Sequence, residues 1–273
     1  MQPSINTAKN IINEANAIII TAGAGMSVDS GLPDFRGDQG FWRAYPPLKD
    51  KNLSFTDMAN PQWFFSNPKL AWAFYGHRLK LYNATTPHEG FYLLRELCKE
   101  KDDNYFIYTS NVDGHFAKAG FDKDKIYECH GSIHYTQCIY KDDGAIWAVD
   151  ESEIEVDEDK FEATKMPTCK ECGCVTRPNI LMFYDGVFNW NRTKAQYHRY
   201  DAWLSKNMNS KIAIIEIGAG LAVPTIRAYG ERMAKRFNKA NLIRINPTDT
   251  KISPYYGISI KMGGLEALKA ILC

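Results

Sequence analysis

The sequence predicts an α/β protein built on a doubly wound parallel sheet, with a second, smaller domain formed by two insertions. Three observations carry this. Short apolar runs rich in Ile, Val and Tyr alternate with helical patterns, the signature of strands joined by crossover helices. Two of the strands, AIIITA and IAIIEI, run directly into the same Gly-Ala-Gly turn. Two stretches, Phe41 to Thr86 and Ile133 to Thr176, break the alternation and are too long to be loops of one compact domain.

In chain order, strands are expected at Ala17 to Thr21, Tyr105 to Thr109, Ile180 to Phe183, Ile212 to Ile217, Leu242 to Asn246 and Gly257 to Lys261. Helices are expected at Asn6 to Ala15, at His88 to Lys101 after Pro87, and at Val223 to Asn238, each long enough for a crossover. The first insertion contains three of the six Trp, four of the twelve Pro and a helical run, Asn67 to Tyr82, whose Leu70, Phe74, His77 and Leu81 share a face. The second contains the acidic run Asp150 to Asp159 and most of the cysteines. The expected division assigns residues 1–40, 87–132 and 177–273 to the large domain, and 41–86 and 133–176 to the small one.

Composition narrows the function. Of 273 residues, 45% are hydrophobic and 13% aromatic, enough for a full core. Lys plus Arg (33) balances Asp plus Glu (32), so no whole-chain field recruits nucleic acid or an anionic membrane. The longest early apolar run, Ala17 to Ala22, falls far short of the roughly 20 residues that cross a bilayer and has no basic segment before it. Seven cysteines is an odd number, and Cys169, Cys172 and Cys174 crowd together, which reads as metal binding in a reducing cytoplasm rather than a disulfide framework. Oligomeric state is not written in any segment.

Gly23, Ala24 and Gly25 end a strand in side chains so small that backbone can approach a pyrophosphate, with a following helix N-terminus expected to supply N–H donors. The pattern is half of a dinucleotide fingerprint: Val28 stands where the third glycine would be, and no acidic residue ends a second strand some 20 positions on. A hydride-transferring dehydrogenase is therefore disfavoured. The second turn, Gly218, Ala219 and Gly220, leads to a strand ending in Asn246, whose amide is expected to bond a ribose hydroxyl.

The run Gly23-Ala-Gly-Met-Ser-Val-Asp-Ser-Gly-Leu-Pro-Asp-Phe-Arg-Gly37 resembles the cofactor-binding signature of the sirtuin family, as do Asn111-Val-Asp113 and His130-Gly-Ser132. These blocks, the cysteine cluster, Arg177-Pro178 and the late Gly-Ala-Gly follow the family order across nearly the whole chain. The resemblance implies a Rossmann-type large domain, a zinc-bearing small domain, and NAD consumed as a co-substrate. It implies deacylation of acyl-lysine in proteins, releasing nicotinamide and O-acyl-ADP-ribose, with ADP-ribosyl transfer to protein, NAD hydrolysis or NAD binding alone as alternatives.

Residue by residue, the resemblance implies that Asp113 and the Val112 backbone hold the nicotinamide carboxamide, Asn111 orients the ribose and Phe35 covers the reactive face. Arg36, Ser27 and the Ala24 backbone would meet phosphate or ribose oxygens, with Asp34, Ser110 and Met262 also at the cofactor. His130 is the expected general base, since imidazole titrates near neutral pH and the mechanism needs a ribose hydroxyl deprotonated. His77, His88, His115, His134 and His198 read as ordinary structural histidines, and Cys98, Cys129 and Cys273 as small hydrophobes or free thiols.

Departures fall mostly outside the cofactor blocks. The resemblance implies one structural zinc ion on Cys138, Cys169, Cys172 and Cys174, but the usual partner of Cys138 three positions on is Lys141, so either Cys174 or Asp142 completes the site or zinc is weakly held or absent. Ser110 replaces the usual Gln before Asn111. The strand expected to pair with the acyl-peptide reads Ile180-Leu-Met-Phe183-Tyr184-Asp185, placing a bulky Tyr184 where the family has Gly, so Phe183 and Tyr184 are candidate substrate contacts. Tyr75 and Arg78, three apart on one helix face, are similar to the Tyr-x-x-Arg pair of sirtuins that remove acidic acyl groups: the guanidinium would bind the acyl carboxylate and the phenol donate a further bond.

Overall fold

The computed structural model describes residues 2–33 and 37–273. Helix α1 (Gln2–Glu14) leads into β1 (Ala17–Ala22). The first insertion is helical: α2 (Gly37–Ala44), α3 (Pro46–Asp50), α4 (Phe55–Met58), α5 (Trp63–Ser66) and the long α6 (Pro68–Ala84). Helix α7 (Glu89–Glu100), β2 (Tyr105–Thr109), α8 (His115–Lys118) and β3 (Ile126–Glu128) return the chain to the first layer. Strands β4 (Gly131–Cys138), β5 (Ile146–Ala148), β6 (Glu155–Asp157), β7 (Glu162–Lys165) and β8 (Thr176–Ile180) build the second insertion and its exit. Helix α9 (Asn191–Lys206), β9 (Ile212–Ile217), α10 (Thr225–Arg236), β10 (Ala240–Ile245), β11 (Gly257–Ile260) and α11 (Gly264–Leu272) complete the chain.

Six strands form one sheet in the order β11-β10-β9-β1-β2-β3, and every pairing is parallel. From β1 the chain winds outward to β3, and from β9 outward to β11 on the other side, so the winding reverses between β1 and β9. Strand side chains alternate faces, and the cores follow. Ile18, Ile20 and Ala22 of β1 pack with Ala213, Ile215 and Ile217 of β9 beneath α1, α7 and α11. Ala17 and Ile19 pack with Ile212 and Ile214 beneath α9 and α10, against Tyr200, Leu204, Ile226 and Met233. Both faces are covered, as the doubly wound expectation requires.

Five of the six expected strands stand where the apolar runs place them. The exception is Ile180 to Phe183. The strand there is β8, which ends at Ile180 and pairs antiparallel with β4 in a separate three-stranded sheet, β5-β4-β8. Its inward Arg177 makes it a poor parallel-sheet strand: the guanidinium is fully buried against Asp185 and the Ile180 carbonyl. Strand β3 and helix α9 are among the elements that the pattern does not mark. Strand β3 is only three residues long, and α9 buries just Thr193, Gln196, Tyr200 and Leu204, too polar a stripe for apolar periodicity to reveal.

The two insertions share one apolar cluster. Phe41, Tyr45, Leu48, Phe64, Trp72, Phe74 and Tyr75 from the first meet Ile133, Ile139, Phe161 and Ala163 from the second. Helix α6 begins as the sequence dictates, with Pro68 in its first turn and the Asn67 side chain accepting from the Leu70 N–H at 3.1 Å. It packs on the β6-β7 hairpin and the residue before it so closely that a Cβ on Gly76 would fall 2.7 Å from Ile154 Cγ2 and 3.2 Å from Val156 Cγ2. Among the described residues no helix is long and apolar enough to cross a membrane.

Candidate active site

In open parallel sheets, ligands bind beyond the carboxyl ends of the strands where the winding reverses. Both Gly-Ala-Gly turns lie there, at the ends of the adjacent strands β1 and β9. They interlock by backbone: Gly23 N donates to Ile217 O and Gly25 N to Gly218 O, each at 3.0 Å. A Cβ on Gly218, whose φ is +65°, would fall 2.3 Å from Gly25 C and Met26 N, so only glycine fits. The first turn is followed by two single 3-10 turns, Ala24–Met26 and Val28–Ser30, and not by the helix the sequence leads one to expect. Donors here are therefore local backbone N–H groups rather than a helix terminus. Ala24 is exposed, Gly25 and Gly220 are half-buried, and Ala219 is buried.

Beside the first turn stands a buried polar cluster. Thr109, the last residue of β2, donates its hydroxyl to the Ala22 carbonyl and accepts from the Asn111 N–H, both at 3.0 Å, while Ser110 N bonds Ala22 O. That fixes the chain as it leaves the sheet. Ser27 Oγ then donates to Asp113 Oδ2 at 2.6 Å and accepts from Asn111 Nδ2 at 3.3 Å. Asp113 Oδ1 accepts from the His115 N–H at 2.9 Å. Ser27, Asn111 and Asp113 are each at most 9% exposed. The sequence separates Ser27 from Asn111 and Asp113 by 84 and 86 positions; the fold brings them within one hydrogen-bonded group.

His130 follows β3 at the same sheet edge and is half-buried. Burial holds its imidazole pKa below the usual value, so it is neutral near pH 7 and able to accept a proton. Asp34, Phe35 and Arg36 lie outside the described residues.

Two more of the expected cofactor residues are buried. Asn246 is 1% exposed behind the second turn, donating to the Ala219 carbonyl at 2.9 Å and accepting from Thr248 and Asp249 N–H groups. These bonds fix the side chain against the turn. Met262 packs in the core under α11.

The helical insertion places Tyr75 and Arg78 deep. Tyr75 is 1% and Arg78 5% exposed, so Arg78 is no surface ion pair. Its Nη2 and Nε donate to Tyr82 Oη at 2.7 and 3.1 Å, and its guanidinium lies 5.2 to 5.9 Å from the ring centroids of Phe55, Phe74, Tyr75 and Tyr82. Tyr75 Oη makes no hydrogen bond among the described residues. Phe183 N donates to the Ala59 carbonyl at 2.8 Å, tying the segment after β8 to the helical insertion. Tyr184 is 88% exposed at φ +58°, a left-handed conformation that explains why a glycine suits this position. Asp185 stabilises the turn by accepting from Arg177 and from the N–H groups of Met182 and Val187.

In the cysteine module, the sulfurs of Cys138, Cys169 and Cys172 lie within 4.8 Å of one another. Two thiolates about 2.3 Å from a tetrahedral zinc stand about 3.8 Å apart, and Cys138 Sγ and Cys172 Sγ are 3.7 Å apart. This donor set fits a structural zinc ion. A backbone N–H from Cys174 and the Cys169 thiol help bring the Cys172 thiol down to about 7, and burial pushes Cys138 up to about 11. Cys174 is outside the group, its Sγ 3.9 Å from the Cys172 carbonyl, and Asp142 is exposed and also outside it. Lys141, at the position of the missing thiol, pairs with Glu171 at 2.8 Å.

A family profile described as the Sir2 family matches residues 23–253. The NAD-dependent protein deacylase of Leptospira interrogans is 35% identical over 233 residues, 85% of this chain and 82% of that protein. That of Aquifex aeolicus is 27% identical over 259 residues, 93% of each. A solved Sir2 bound to acetylated peptide superposes with a TM-score of 0.69 at 18% identity, covering 96% of this chain and 94% of the other, a likeness of fold.

Proposed function

The chain belongs to the Sir2 family, and on that premise we propose that it is an NAD-dependent protein lysine deacylase that transfers the acyl group to ADP-ribose. The observation that carries the reading is the buried Ser27-Asn111-Asp113 group at the winding reversal, with the half-buried His130 at the same sheet edge. Asp113 is held by two hydrogen bonds in a fixed orientation, and its remaining lone pairs suit the carboxamide N–H groups of nicotinamide. Val112 offers its N–H, since its carbonyl already accepts from Ile133. Asn111 orients the ribose, and the interlocked turns offer N–H groups to the pyrophosphate. Loss of nicotinamide leaves an oxocarbenium-like ribose, which the acyl oxygen attacks at C1′. His130 then takes the proton from the ribose hydroxyl that closes on the acyl carbon.

Zinc supplies structural cross-linking when bound, through Cys138, Cys169 and Cys172, and takes no part in the reaction. Residues 1–40, 87–132 and 177–273 form the cofactor domain in this reading. Residues 41–86 and 133–176 form the small domain, supported by their common apolar cluster. The substrates are acylated lysines of proteins. The Arg78 cation inside its aromatic surround, beside an unbonded Tyr75 hydroxyl, supports acceptance of a carboxylate-bearing acyl group such as succinyl or malonyl. Free thiols in a metal cluster fit a cytoplasmic setting.

Mass spectrometry of acetyl-, malonyl- and succinyl-lysine peptides incubated with the protein and NAD tests the proposal. Acyl-ADP-ribose is expected with the wild type and should fall ~10²- to 10⁴-fold in His130→Ala. Nicotinamide release without acyl transfer, or a mass gain on protein, would replace it with NAD hydrolysis or ADP-ribosyl transfer. Arg78→Met should lower activity on the acidic acyl peptides more than on the acetyl one.

A further inference from the structure

Strand β4 pairs with β8 at Gly131 and Ser132 and again from Thr136 to Cys138, but the register shifts in between. An irregularity of this kind frees backbone from the ladder and re-aims side chains, and such bulges concentrate beside functional sites. The freed residues are taken up by the segment after β2. Ile133 N donates to the Val112 carbonyl at 3.0 Å. His134 Nε2 lies 3.0 Å from the Asp113 carbonyl. A carbonyl only accepts, so Nε2 carries the proton of that bond.

Gly114 completes the contact. Its φ is +72°, and a Cβ built there would fall 2.6 Å from His134 Nε2 and 2.8 Å from Cδ2. The imidazole thus occupies the space a larger residue at 114 would need. From the other side, the Asp113 side chain is held by Ser27 and by the His115 N–H. The Val112–Gly114 segment is therefore clamped between the first glycine turn and the bulge of β4.

Resting on the deacylase reading, we infer that His134 is a positioning residue for NAD: it fixes the backbone of the carboxamide-holding segment from behind, so that the Asp113 carboxylate and the Val112 N–H meet nicotinamide at a set angle. His134 is half-buried, and with Asp113, Gly114 and Ser132 it lines a cavity of about 550 Å³ between α8, β4 and α9. Nothing in the His-Gly-Ser motif marks the clamp, because the contact depends on the bulge.

The test compares His134→Leu, which removes the donor, with His134→Gln, whose amide N–H replaces it. Inhibition by nicotinamide and the KM for NAD are read beside the KM for the acyl-peptide. Loss of one hydrogen bond is expected to weaken nicotinamide inhibition and raise the KM for NAD ~3- to 10-fold. The peptide KM should move less than about twofold, and His134→Gln should recover most of the loss. If His134→Leu does not fold, His134→Asn serves in its place, since its shorter amide falls short of the Asp113 carbonyl. Equal changes in both KM values, or a folded variant with unchanged nicotinamide inhibition, would overturn the inference. Wild-type protein that releases no nicotinamide would instead sink the deacylase reading beneath it.

Discussion

At the ends of β1 and β9 the polar groups the glycine turns offer are backbone N–H donors, whereas in the cysteine knuckles every candidate ligand is a side-chain sulfur. Both regions depart from the commonest sirtuin pattern, and the consequences differ. The small side chains of Ala219 and Gly220 add no polar group of their own, but the peptide donors of the second turn remain, because those belong to every residue. Replacing a knuckle thiol by Lys141 removes a ligand outright, and three sulfurs share the 4.8 Å group where four would close a tetrahedron. A site written in backbone tolerates sequence change as long as the turn keeps its shape; a site written in side chains does not.

The largest expected effect separates the three grouped thiols from the fourth. Cys169→Ser should abolish stoichiometric zinc after purification and lower the melting temperature by about 10 °C, since metal binding energy is folding energy in such modules. Cys174→Ser should keep one equivalent of zinc. Equal metal loss in the two variants would mean that Cys174 turns inward to ligate.

In the large layer, acid should expose the cost of its buried imidazoles. His88 and His115 are at most 8% exposed, and burial lowers both pKa values. The folded chain keeps them neutral while the unfolded chain takes up protons below about pH 6.5. Stability is thus complete above that value and lost as pH falls toward the lowered folded values, by up to about 1.4 kcal/mol per pH unit for each histidine. Thermal melts from about pH 7.5 down to about pH 5 should show the midpoint falling. A flat midpoint would mean that other groups compensate.

The smallest effect belongs to the groove beside the small module. Tyr184 holds a left-handed backbone that costs an L-residue roughly 1 kcal/mol, and its exposed ring loses little packing on removal. Tyr184→Gly should gain at most about 1 kcal/mol after the added freedom of the unfolded chain is counted. A lower melting temperature would show that the phenol makes a stabilising contact.

The order of elements and the cofactor motifs are local facts, and they were legible. Gly-Ala-Gly after an apolar strand specifies a turn because only small residues permit it, and Asn111-Val-Asp113 and His130-Gly-Ser132 sit where the strands end. Less legible were elements whose reason lies elsewhere in the chain. Strand β3 is too short to show a period, and α9 is helical around a stripe containing Thr193 and Gln196, buried only because β3 lies beneath it. Arg177-Pro178 reads as a family mark, but the buried Asp185 is what makes its strand part of the small sheet.

The sequence by itself determined the sheet, the turns and the chemistry available at the strand ends, since periodicity, glycine placement and residue type act over a few neighbouring residues. Tertiary structure decided which of those groups meet. It joined Ser27 to Asp113, drew Asn246 behind the second turn, left Cys174 outside the thiol group, and handed His134 to Asp113 through a bulge in β4. Each of these depends on distances between segments far apart in the chain, which packing sets and local sequence does not encode.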